Sequence, residues 1–177
     1  MRKLVEKKGF TLIEMLACTV TLILIGLICS TGIRLATLSL QESSFESDSQ
    51  MLESTLNMYM SDMLRHCTEV TIDGEGNVIS FTNDTYYIDE GNFEIRSTAP
   101  EGMDAGYLIC TSTLTLEGKD GTMVVNEGAY ARTLYIKDFA LKYDKEKAVF
   151  TGSYKIVSSE INSTKECVFS YRTIAMQ

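Results

Sequence analysis

Apolar and polar positions divide this chain into three successive patterns. From Met15 to Ile33 no residue carries a charge and Leu, Ile and Val dominate. At 1.5 Å per helical residue this run covers about 28 Å, close to the roughly 30 Å of a bilayer's hydrocarbon core, so it predicts a membrane-spanning helix. Beyond Arg34 the apolar positions thin to Leu35, Leu38, Phe45, Leu52, Leu56, Tyr59 and Met63, a stripe along one face of an amphipathic helix. One helix from Phe10 to about His66 is expected. It should be weakest near Ser43–Ser49, where Glu42 and Ser49 interrupt the stripe.

From Cys67 onward the period shortens to β-type runs separated by turn chemistry. Strands are expected at Thr68–Asp73 and Asn77–Thr82 around Gly74-Glu75-Gly76, and at Tyr86–Asp89 and Asn92–Ser97 around Glu90-Gly91. Further runs lie at Tyr107–Thr111, Thr113–Glu117 and Thr122–Asn126. The clearest alternation comes in Thr133–Tyr143, Ala148–Val157 and Glu166–Thr173, with Phe150, Gly152, Tyr154 and Ile156 on one face. Thr98–Gly106, with the only proline, reads as a surface loop. A long helix followed by antiparallel strands is the order of an α+β fold in which the helix's second half covers one face of the sheet.

The charges flanking the apolar run orient it. Arg2, Lys3, Lys7 and Lys8 precede it against the single acid Glu6, which keeps the N-terminus inside and places the rest of the chain outside. The run is longer than a secretory h-region and no A-x-A site closes it, so the helix should be retained. Glu14 is the anomaly, because a carboxylate inside a membrane helix costs about 2.5–3.5 kcal/mol on insertion scales. It either reaches water at the headgroup boundary or finds a cation.

The residues Gly9-Phe10-Thr11-Leu12-Ile13-Glu14-Met15, behind a basic leader and ahead of the apolar run, resemble the cleavage and methylation signature of type IV prepilins and pseudopilins. The resemblance covers about residues 7–33 and matches every position of that short signature. It implies that a prepilin peptidase cuts between Gly9 and Phe10 and that the new Phe10 amine is N-methylated. It also implies that Glu14 neutralises the Phe10 amine of a neighbouring subunit as helices bundle into a filament. At about 4 Å such a pair gains roughly 4 kcal/mol at an effective dielectric of 20 but only about 1 in water, so pairing is favoured away from solvent. An intrachain pair between Phe10 and Glu14, four residues apart on one helical face, is the alternative. The implied partners are the peptidase, sibling pilins or pseudopilins, a membrane platform protein with its assembly ATPase, and membrane lipid. The implied location is the cytoplasmic membrane and then a cell-surface pilus or pseudopilus. Many major pilins carry a proline and a glycine in the membrane half; here there is no proline and only Gly26 and Gly32, which favours a minor pilin or pseudopilin.

The resulting organisation is a leader at 1–9, an assembly helix at 10–33, its amphipathic continuation at 34–66 and an outer β-rich head at 67–177. Removing a leader with four bases and one acid takes the formal charge from −8 to −11. So acidic a head repels phosphate backbones, and direct nucleic-acid binding is not expected.

Cys18 and Cys29 read as small apolar-helix residues, whereas Cys67, Cys110 and Cys167 lie in the head, where an oxidising exterior allows one disulfide in three ways. No metal site is expected, since the cysteines form no close pair and the only histidine, His66, adjoins just one of them. Asp73-Gly74-Glu75-Gly76-Asn77 lacks the full calcium-loop pattern and reads as a turn. The acids Asp84, Asp89, Glu90 and Glu94 read as a solvated strand edge. No nucleophile–base set or cofactor signature is present, so a structural subunit rather than an enzyme is expected. The rival reading is a binding domain or enzyme that uses the helix only as a tether.

Overall fold

The computed structural model describes residues 11–113 and 121–174. It is an α+β fold: one long N-terminal helix followed by an eight-stranded antiparallel sheet. The helix, α1, spans Leu12–Arg65 and is unbroken through the serine-rich stretch expected to loosen it. The reason is local. Ser49 is fully buried, yet its hydroxyl donates to the Glu46 carbonyl at 3.0 Å, so the polar side chain is satisfied within its own helix. The chain divides into two compact units, one ending at Gln41 and one beginning at Glu42. In the first, every described residue is exposed.

In the second unit α1 buries Ser49, Leu52, Leu56, Met60 and Leu64, with Phe45 and Met63 partly covered. The expected stripe therefore drifts. Tyr59 is exposed, and Met60 and Leu64, four and eight residues after Leu56, take its place on the buried face.

The strands are β1 (Glu69–Ile72), β2 (Val78–Asn83), β3 (Ile88–Ser97), β4 (Gly106–Thr111), β5 (Thr122–Met123), β6 (Leu134–Asp144), β7 (Val149–Ser158) and β8 (Thr164–Arg172). Their order is β1-β2-β3-β4-β6-β7-β8, with the two-residue β5 attached to β4. β3 runs through the turn expected at Glu90-Gly91. Glu90 takes a positive φ of 46°, and a Cβ on Gly91 would collide with Ile88 Cγ2 and the Thr111 carbonyl, so the strand kinks instead of reversing. The run expected at Thr122–Asn126 shortens to β5 and is followed by a 3-10 turn, Glu127–Tyr130. Residues Leu114 to Glu117 of another expected run lie outside the described residues.

In β6 the inward positions change parity. Leu134 and Ile136 are buried in its first half, Leu141 and Tyr143 in its second. A bulge between Lys137 and Ala140, with Asp138 at φ 55°, inserts the residue that makes this shift. On β7, Phe150, Tyr154 and Ile156 point inward, and Gly152 leaves the room that the Phe169 ring of β8 occupies.

Candidate assembly site

Gly9 and Phe10, the expected cleavage and methylation positions, lie outside the described residues. Glu14 lies in the first turn of α1, and its carboxylate is engaged locally. The Thr11 backbone N–H and hydroxyl each donate to Glu14 Oε2 at 2.9 Å, while the Glu14 N–H reaches Thr11 Oγ1 at 3.3 Å. This reciprocal arrangement is a capping box, which satisfies donors that every helix N-terminus otherwise leaves open. Its signature, Thr-x-x-Glu ahead of an apolar run, was present in the sequence and was overlooked there.

Past the cap, Leu12, Ile13, Leu16, Leu22, Ile23 and Ile28 are among many apolar side chains left exposed. This helix is long and apolar enough to cross a membrane, its most apolar window having a mean hydropathy of 2.5 with none of it buried. Three threonines among them are satisfied within the helix. Thr19 donates to the Leu16 carbonyl, Thr21 to those of Ala17 and Cys18, and Thr31 to those of Leu27 and Ile28, so these hydroxyls need no water. Cys18 and Cys29 are exposed on the same segment.

The head's three cysteines, Cys67, Cys110 and Cys167, are buried free thiols. Cys110 lies on β4 and Cys167 on β8, which are not neighbours in the sheet. Burial pushes the Cys67 and Cys167 thiols up to about 11 and that of Cys110 to about 12, which makes all three poor nucleophiles near neutrality. Among the described residues the Tyr154 hydroxyl, buried beside Cys167, has no nitrogen or oxygen partner, and burial raises its phenol as well.

Polar contacts lock α1 onto the sheet around these thiols. Lys165 of β8 lies 3.0 Å from Glu53 and 3.8 Å from Glu46, and the Tyr171 hydroxyl donates to Asn57 Oδ1 at 2.8 Å. At the helix end His66 Nδ1 sits 3.5 Å from an Asp62 carboxylate oxygen, and the Tyr86 hydroxyl donates to the same carboxylate, a bond that raises the phenol's pKa.

Asp73 is a turn residue. Its carboxylate accepts from the Glu75 and Asn77 N–H groups and from the Asn77 amide, and the Asn77 side-chain bond above all holds its pKa down. Asn83 is fully buried and its side chain is spent on backbone groups. Among the described residues no three His, Cys, Asp or Glu side chains gather as metal ligands would. Comparison with family models, curated proteins and solved structures finds no match for this chain.

Proposed function

We propose that the chain is a pilin-like structural subunit, cut by a prepilin peptidase after Gly9, N-methylated at Phe10 and assembled into a type IV pilus or pseudopilus. In this reading the leader stays in the cytoplasm, the helix holds the subunit in the cytoplasmic membrane and the head faces out until assembly. Sibling subunits, a platform protein and an assembly ATPase are its partners, and a minor rather than abundant position fits a membrane half without proline. The observation that carries the reading is the split use of one helix. From Leu12 to Leu40 it leaves its apolar side chains uncovered, while from Ser49 to Leu64 it buries a face in the head. Lipid covers such a surface before assembly, and neighbouring helices cover it afterwards. The Gly9-to-Met15 signature supplies the processing step.

A second reading has a specific observation in its favour. The Thr11–Glu14 capping box gives Glu14 a task that a plain membrane tether would share. Mass spectrometry of the native membrane fraction separates the two: the filament reading requires a chain starting at N-methylated Phe10. An intact N-terminus in cells with active prepilin peptidase would overturn it.

A further inference from the structure

We draw no further inference here: the strongest candidate, the exposed, uncharged stripe of Ser44, Ser47, Met51, Ser54 and Met58 along the head half of α1, is an unpartnered helix face, and nothing in the structure shows what covers it beyond the neighbouring helices of the assembly reading already given.

Discussion

Asn83 ends β2 with its side-chain amide donating to the carbonyl of Met63, at 2.6 Å, across the head from strand to helix. The Met63 carbonyl is one of the last in α1, where no further turn supplies a donor. The same side chain accepts from the Thr85 and Tyr86 N–H groups. One buried residue therefore caps the helix, shapes the β2–β3 loop and fixes the strand against α1.

Replacing it should be expensive. Asn83→Ala leaves a helix carbonyl and two N–H groups without this partner, and each unsatisfied buried group costs about 1–3 kcal/mol. Partial access to water lowers the sum, so a loss of about 2–4 kcal/mol is expected by chemical denaturation, larger than for Thr85→Ala. A change below about 1 kcal/mol would mean that the amide is replaceable by water.

Glu14 has two candidate tasks that two substitutions separate. Glu14→Gln keeps the acceptor oxygen for Thr11 and removes the charge; Glu14→Leu removes both. If Glu14 serves a neighbour's amine, both variants should insert normally and both should fall in sheared-filament fractions. Full incorporation of Glu14→Gln alone would assign the residue to capping.

The helix face buried in the head gives a graded test. Leu56→Ala and Met60→Ala remove fully buried side chains and should each cost about 2–5 kcal/mol, whereas Tyr59→Ala, on the exposed side, should cost less than about 1. Equal losses at Met60 and Tyr59 would contradict the observed rotation of the stripe.

Alkaline pH should loosen the head. The thiols of Cys67 and Cys167 titrate near 11 when folded and that of Cys110 near 12, against about 8.5 in an unfolded chain. Above about pH 8.5 the unfolded state releases protons that the folded state still holds, so stability is whole below that pH and is lost as pH rises through 11 to 12. Urea midpoints measured from pH 7 to 11 should fall, and alkylation of the three thiols at pH 8 should follow unfolding. Rapid labelling of the native head would refute their burial.

Much of the architecture was legible from local chemistry. An uncharged run of bilayer length, a 3.6-residue stripe after it and alternating strands with Gly-rich turns each depend on neighbours within a few residues, and each predicted the right element type. The Gly74-Glu75-Gly76 hairpin is formed, with Asp73 bonding within its own turn. Errors arose where distant residues decide. Glu90-Gly91 looked like a turn, but the pairing of β3 with β4 carries the strand through it.

The sequence by itself determined which segment is apolar enough for a membrane and where the period changes from helix to strand. Those properties are written in composition and spacing, which need no partner. Only the tertiary structure decided that Ser49 can be buried, that Met60 rather than Tyr59 faces the sheet, that β6 shifts its inward parity at Asp138, and that Cys110 and Cys167 lie strands apart. It also brought Asn83 to Met63 and Tyr86 to Asp62. These depend on how α1 and the strands pack, and chain closure between residues tens of positions apart leaves no local trace in the order of the residues.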